Sequence, residues 1–462
     1  KINIMRIAID LQGLQSEGSR KRGIGRYSFE IISSLLKYHH TNEYILVGNS
    51  ALKDVRKEFS SHLNTAQNIS YVSWYSPTPL SFISHKPINI ELGKCLRSYT
   101  FDCLHADVII VTSFLEGFSD NCLTEFDHEL LETPVISIFY DLIPLLNRDL
   151  YLNLNPEFSK YYYRKLDLIK NFDALLAISK SSSEEAFKYL NIEQSKIFNI
   201  SSACDTNLFN SSKNISHNLS EFFESISSYL LYSGAGDPRK NIKNLLKAYS
   251  LLPVELKDKY HLVLVGKLIP EEIRIINNLI ESLNIPQDHI HMLGYVSDMD
   301  LVALYRNCSL FIFPSFHEGF GLPVLEAMNC GAPVIGSFST SIPEIISRAE
   351  AMFDPYDPSN IRDLIQRSIQ DERFLSDLKS NSLKQSKKFS WLHTVNNLIN
   401  ACSIIINEHP KKSVTNQWER IREENTRLLA NLINKLQITI KDDHQLIKII
   451  ASSIDKINLG LS

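Results

Sequence analysis

Nowhere in this 462-residue chain do about 18 apolar residues run consecutively, so the sequence offers no membrane-spanning helix. Cysteine is scarce and scattered. The seven thiols (Cys95, Cys103, Cys122, Cys204, Cys308, Cys330 and Cys402) are odd in number and form no C-x-x-C pair. That pattern argues against a zinc site or a disulfide framework and leaves buried free thiols in a reducing compartment as the expectation. An excess of one charge is also missing. Lys and Arg number 48 against 52 Asp and Glu, a formal net charge of −4, and no global electrostatic signature points to nucleic acid. The first apolar stretch, Ile7–Leu11, is interrupted by Asp10 and reads as a strand rather than a signal-peptide core, so a cytosolic protein is expected. Lys1-Ile2-Asn3-Ile4 stands ahead of Met5. This reads either as a natural start at Met5 behind extraneous residues or as a fragment of a longer polypeptide.

Hydrophobic residues make up 44% of the chain, and the length suffices for two medium domains and an extension. Short apolar runs alternate with helical patterns: Met5–Asp10, Tyr44–Val47, Val108–Val111, Pro134–Phe139 and Ala174–Ile178 read as strands, with helices over Gly25–Tyr38 and Pro156–Ile169. Such alternation predicts a parallel sheet covered on both faces. A polar stretch over 205–228 reads as a linker, after which the alternation restarts at Tyr229–Ser233. The expected organisation is a first α/β half over 1–204, the linker 205–228, and a second half over 229–411 whose last helices cross back to the first. In the segment 412–462, Trp418, Ile421, Leu428 and Leu432, then Leu446, Ile450, Ile454 and Ile457, form amphipathic stripes of a helical extension.

Phe313 to Glu326 is the most informative stretch: FPSFHEGFGLPVLE. A strand over Leu310–Phe313 leads through Gly319 and Gly321 into a helix. Glycines let backbone N–H groups approach an anion, and a helix N-terminus adds partial positive charge. Glu326 falls about one turn into that helix, where a carboxylate can accept hydrogen bonds from a ribose diol. Gly234-Ala235-Gly236-Asp237-Pro238-Arg239-Lys240-Asn241 follows another strand and would set two cations over a diphosphate. A solvated turn is the plain alternative. Gly23-Ile24-Gly25-Arg26-Tyr27 lies between the first strand and the first helix, where it is either a backbone approach to the same diphosphate or a simple helix start. Asp141, after the strand ending at Phe139, is either a sugar ligand or a turn aspartate. Leu293-Gly294-Tyr295-Val296 ends a strand and either lines a base pocket or merely closes the strand. Asp298-Met299-Asp300 has the look of a metal-binding Asp-x-Asp, but Ser297 with Asp300 three residues on reads as a helix cap. His317 has no partner at helical ligand spacing for zinc.

Taken together these residues resemble the retaining glycosyltransferases of family 4, over roughly Met5 to Ile406 and most strongly in the Glu-x7-Glu of Glu318 and Glu326. Asp10-Leu11-Gln12-Gly13 and Asp141-Leu142-Ile143-Pro144 are similar to the bacterial branch that builds O-antigen and other surface polysaccharides, mannosyltransferases included. The resemblance implies the GT-B fold: two Rossmann-like α/β domains facing across a cleft, here with a C-terminal helical extension. It implies that Glu326 binds ribose, and that Arg239 and Lys240 neutralise the diphosphate leaving group. Gly319, Phe320, Gly321, Leu322, Gly23 and Gly25 would hold phosphate and sugar through the backbone. Val296 would line the base pocket, and Glu318 and Asp141 would lie at the donor sugar. Where many relatives carry His before that aspartate, Tyr140 stands here. The departing phosphate would serve as base, with no metal and no cofactor beyond a nucleotide sugar, GDP-mannose first and UDP donors second. The acceptor implied is a glycan or lipid-linked glycan, with peripheral contact at the inner face of the cytoplasmic membrane, while 412–462 would reach a further domain or an oligomeric partner. A nucleotide-sugar epimerase and an inactive scaffold recruiting partners through its tail are the alternatives. Lys240 is expected to be an exposed cleft lysine whose loss harms turnover far more than stability.

Overall fold

The computed structural model describes residues 4–20, 23–127, 130–211, 218–226, 228–234 and 236–409. The amphipathic stripes within 412–462 lie outside the described residues.

Two parallel sheets carry the architecture. The first has seven strands: β1 (Arg6–Asp10), β2 (Glu43–Asn49), β3 (Ile69–Trp74), β4 (Val108–Val111), β5 (Val135–Phe139), β6 (Ala174–Ala177) and β7 (Ile197–Asn199), in the spatial order β3-β2-β1-β4-β5-β6-β7. The second has six: β8 (Tyr229–Ser233), β9 (His261–Val265), β10 (Ile290–Gly294), β11 (Leu310–Phe313), β12 (Val334–Ser337) and β13 (Met352–Phe353), ordered β10-β9-β8-β11-β12-β13. Central strands such as Val108-Ile109-Ile110-Val111 are buried throughout because helices cover both faces. Three strands escaped the sequence reading. β3 is only partly buried, while β7 and β13 are three and two residues long, too short for a periodic signal.

In each sheet the strand order reverses once, between β1 and β4 and between β8 and β11. Loops leaving the carboxyl ends of such neighbours diverge and leave a crevice, where open α/β sheets bind ligands. The register Leu230↔Leu310 and Leu231↔Phe311 therefore sets the loop after β8 beside the loop after β11, although about eighty residues separate them. The helix Trp391–Glu408 belongs by sequence to the second half but packs on the first. Trp391 meets the Tyr27 ring edge-on at 5.3 Å, His39 bonds Asn396 at 2.8 Å, and His409 approaches Asp173 at 3.2 Å.

The described residues of the stretch read as a linker are more ordered than their polar composition suggests. Phe209 is buried against the Tyr305 ring, Arg306 donates to the Asn210 carbonyl at 2.8 Å, and Ser220–Ser225 is helical. One large apolar anchor outweighs its polar neighbours. All seven cysteines are buried and none forms a disulfide. Among the described residues no helix is long and apolar enough to cross a membrane.

Candidate active site

A cavity of about 540 Å³ opens between the carboxyl ends of the two sheets. Its walls bring together Gly23, Asp141, Arg239, Lys240, Val296, Glu318, Gly319, Phe320, Gly321, Leu322 and Glu326. Gly25 is the exception. It lies inside the helix Gly23–Tyr38, not in a loop, and it lines a separate pocket, where a side chain would strike the Arg20 backbone. Its lack of a side chain serves chain packing there.

Sequence chemistry explains how the second half builds its wall. After β8, the Asp237 carboxylate accepts from the Arg239 N–H at 3.0 Å and caps the turn Pro238–Lys240. Asn241 then adopts φ 63°, a region Asn tolerates, and its amide donates to the carbonyls of Pro314 at 2.9 Å and Pro355 at 2.8 Å. That pins the cationic turn to the loop after β11. Gly321 has φ +108°, and a Cβ there would lie 2.6 Å from Ile342, so only glycine makes this bend into the helix Leu322–Asn329. Gly319 abuts the other half: a Cβ would stand 2.8 Å from an Asp141 carboxylate oxygen. Ser179 and Ser182 donate to the Gly319 carbonyl at 2.6 and 3.1 Å, docking this loop across the cleft.

The centre is an ion cluster. Lys240 Nζ lies 2.7 Å and Arg239 Nη1 2.9 Å from the same Glu318 carboxylate oxygen. Lys240 is thus no exposed cleft lysine: its side chain is 12% exposed and Glu318's 8%. Removing it strips a partner from a buried carboxylate, which harms stability as well as chemistry. Ser297 caps the helix Asp298–Asn307 by accepting from the Asp300 N–H at 3.1 Å, so Asp300 serves the cap.

The chain is 30% identical over 400 residues to the O-antigen chain mannosyltransferase B of Escherichia coli, a match covering 83% of this chain and 96% of that one. Residues 221–385 match the family model for glycosyl transferases group 1. The chain belongs to the group 1 glycosyltransferases. It is also 36% identical over 397 residues to the serotype-specific mannosyltransferase WbdA of Escherichia coli; the match takes in 84% of this chain but 47% of WbdA, so the chain spans about half that relative's length. The crystal structure of Anabaena HepE with UDP and glucose superposes with a TM-score of 0.61 over 86% of this chain and 99% of that one, at 16% identity. The two-sheet architecture is the GT-B fold.

Three carboxyl groups in this glycosyltransferase's cavity are set apart by their surroundings. Burial alone would raise Glu318, but Lys240 and Arg239 outweigh it and hold the carboxyl at about 2. Burial raises Glu326 to about 7, with Arg26 opposing the rise and Asp298 adding to it. Burial raises Asp141 to about 6, against the Ile143 N–H that donates to it, with Glu185 adding to the rise. Tyr140 donates its hydroxyl to the Thr112 carbonyl at 3.0 Å and so braces the fold.

Sequence reading missed the groups that join the two walls. Tyr151 donates to Asp237 at 2.7 Å, and Glu344 accepts from the N–H groups of Lys180 and Ser181 at 2.9 and 2.7 Å. His317 Nε2 meets Glu185 at 2.7 Å. His317 was weighed in the sequence only as a zinc ligand, and Glu185 left a trace as a carboxylate inside the buried stripe Ser182, Ala186, Leu190 of the helix Lys180–Leu190.

Proposed function

We propose that the protein is a metal-independent retaining mannosyltransferase that moves mannose from GDP-mannose, in α linkage, onto a growing bacterial surface polysaccharide such as lipopolysaccharide O-antigen. The observation that carries this reading is the cluster of Arg239, Lys240 and Glu318 beside the Gly319–Gly321 loop, in one cavity with Glu326 and Asp141. Two buried cations at a topological switch point suit a diphosphate leaving group, and electrostatic stabilisation of that group is the main task in such a transfer. Glu326 accepts the ribose hydroxyls, Gly319 to Leu322 meet phosphate and sugar through the backbone, Val296 flanks the base, and Asp141 holds a sugar hydroxyl. The departing phosphate takes the acceptor proton as the new glycosidic bond forms on the face that the diphosphate leaves. Mannose and O-antigen are supported by the names of relatives, WbdA and O-antigen chain mannosyltransferase B among them. A cytoplasmic location, with contact at the inner membrane face, follows from a lipid-linked acceptor.

A thermal-shift series with GDP, UDP, ADP and dTDP, with and without EDTA, followed by transfer from GDP-mannose, tests this reading. Selective stabilisation by GDP, unaffected by EDTA, is expected. Selectivity for UDP would keep the transferase and remove mannose. Isomerised donor without acceptor would indicate an epimerase, and no response to millimolar nucleotide would favour a scaffold. Flotation with liposomes tests the membrane contact, which fails if the protein stays at the bottom of the gradient.

A further inference from the structure

A chain of buried hydrogen bonds crosses the cleft at a place no part of the proposed chemistry requires. Glu185, on the helix Lys180–Leu190 of the first half, has its Oε1 2.7 Å from Nε2 of His317, on the β11 loop of the second half. Both side chains are 8% exposed. Glu185 Oε2 accepts from the Leu142 N–H at 2.8 Å, the peptide immediately after Asp141. The His317 carbonyl accepts from Arg239 Nη1 at 2.7 Å. One unbroken path therefore leads from the Asp141 backbone through Glu185 and His317 to the Arg239 guanidinium.

The protonation pattern along this path is fixed by its neighbours. The Asn147 amide nitrogen donates to the Ile143 carbonyl at 3.0 Å and lies 3.2 Å from His317 Nδ1. An NH2 group has only donors to offer, which assigns Nδ1 as acceptor and leaves the proton on Nε2, facing the Glu185 carboxylate. Each polar atom in the path then faces a complementary partner. Burying an aligned polar chain between two domains favours a single relative placement, since a shift of either wall strands a buried donor or acceptor.

Resting on the transferase reading above, we propose that Glu185 and His317 are positioning residues that set the spacing between Asp141 on one wall and the Arg239–Lys240–Glu318 cluster on the other. Neither touches substrate. Nucleotide contacts that lie on the second half alone do not need the path, whereas the donor sugar, held between Asp141 and the cations, does. Loss of the path therefore falls on turnover rather than on nucleotide affinity, because small misplacement of reacting groups is costly to rate.

His317→Leu removes both ring nitrogens, and His317→Gln restores a donor at the Nε2 position. His317→Leu is expected to lower kcat about 30- to 100-fold, with GDP Kd and donor KM changed less than about threefold. His317→Gln is expected to recover most of the turnover. A second readout needs no activity. Hydrogen exchange at the Leu142 amide, without substrate, should speed up at least about tenfold in His317→Leu and return towards wild type in His317→Gln. If Leu142 protection is the same in all three proteins, or if the Leu and Gln variants lose turnover equally, the proposal is overturned. Failure of the wild type to use any sugar nucleotide would instead refute the transferase reading, and the exchange experiment would still decide the path.

Discussion

Glu318→Gln distinguishes a carboxylate that balances the paired cations from one that merely adjoins them. Lys240 and Arg239 lower the Glu318 carboxyl from 4.5 to about 2 even though burial pushes the other way. Converted at 1.36 kcal/mol for each tenfold, the difference is about 3 kcal/mol in favour of the folded, ionised state. The sign follows from the depressed value: the contribution is complete above about pH 4.5 and is lost as pH falls through about 2. Glutamine keeps the shape and removes the charge, leaving Arg239 and Lys240 buried together with no counter-charge at 2.7–2.9 Å. Breaking a buried pair this way costs about 3–5 kcal/mol. If the second half unfolds as a unit, Tm near pH 7 should fall by roughly 6–20 °C.

Nucleotide should reverse much of that loss. On the proposed reading a diphosphate competes with Glu318 for the same two cations; in the variant it replaces the lost charge, with Asp237 3.7 Å from Arg239 the remaining protein counter-charge. GDP is therefore expected to bind about tenfold more tightly to Glu318→Gln and to raise its Tm by more than it raises that of the wild type. Turnover falls at the same time, since the carboxylate beside the donor sugar is gone. Differential scanning fluorimetry and calorimetric titration read both quantities. An equal Tm deficit with and without saturating GDP, or unchanged GDP affinity, would refute the idea that Glu318 holds the cations in reserve.

Glu326, raised to about 7 by burial, must ionise to accept two ribose hydroxyls, so donor affinity should improve about tenfold between pH 6 and pH 8, as the ionised fraction rises. Glu326→Gln should flatten that profile, and a profile unchanged in the variant would exclude Glu326 as its source. Gly319→Ala drives a Cβ to within 2.8 Å of Asp141 and 2.9 Å of the Tyr140 carbonyl, forcing the walls apart. It should lower kcat by at least about tenfold while Tm moves by less than about 3 °C, and unaltered turnover would show that the contact yields freely. Arg97 and Asp10 form a fully buried pair at 3.2 Å, with the guanidinium over the Phe126 ring at 4.1 Å. Arg97→Leu should cost about 3–5 kcal/mol in denaturant unfolding, and Asp10→Asn added to it should recover about half; no recovery would assign the loss to packing instead of the stranded charge.

How much of this was legible in the sequence depended on whether a signal was local. β8, β9 and β11 are continuous apolar runs bounded by turn residues, and their limits read directly. The Glu318–Glu326 spacing and the Arg239-Lys240 pair were equally local, and the strand order alone brings them into one crevice. Burial was not legible. Lys240 looked like a solvated cation because nothing in Asp237-Pro238-Arg239-Lys240 says that the β11 loop covers it. Gly25 looked like a glycine of the diphosphate approach because the short helix Glu17–Arg20, whose backbone it must clear, has no periodic pattern of its own. Glu185 and His317 are 132 residues apart, and no local rule pairs them. The contacts that join the two walls were the least readable, since each half folds around its own pattern and their meeting is set by shape.

The three carboxyl groups of the cavity show why those walls matter to the chemistry. Residue type alone makes Glu318, Glu326 and Asp141 equivalent acids; their surroundings make them about 2, about 7 and about 6. Groups whose environments push their protonation apart take different tasks. Glu318 stays charged at every working pH and suits the balancing of cations. Glu326 accepts a long 3.5 Å hydrogen bond from the Tyr305 hydroxyl and keeps lone pairs for further donors, which suits the ribose diol of the proposed function. Burial raises Asp141, and Glu185, the residue that also holds the following peptide, adds to the rise. A diphosphate entering such a site exchanges one counter-charge for another rather than filling an unsatisfied cavity. Affinity then reports the difference between two anions on the same cations. That is why altering the protein's own carboxylate is a sharper probe of the site than removing either cation.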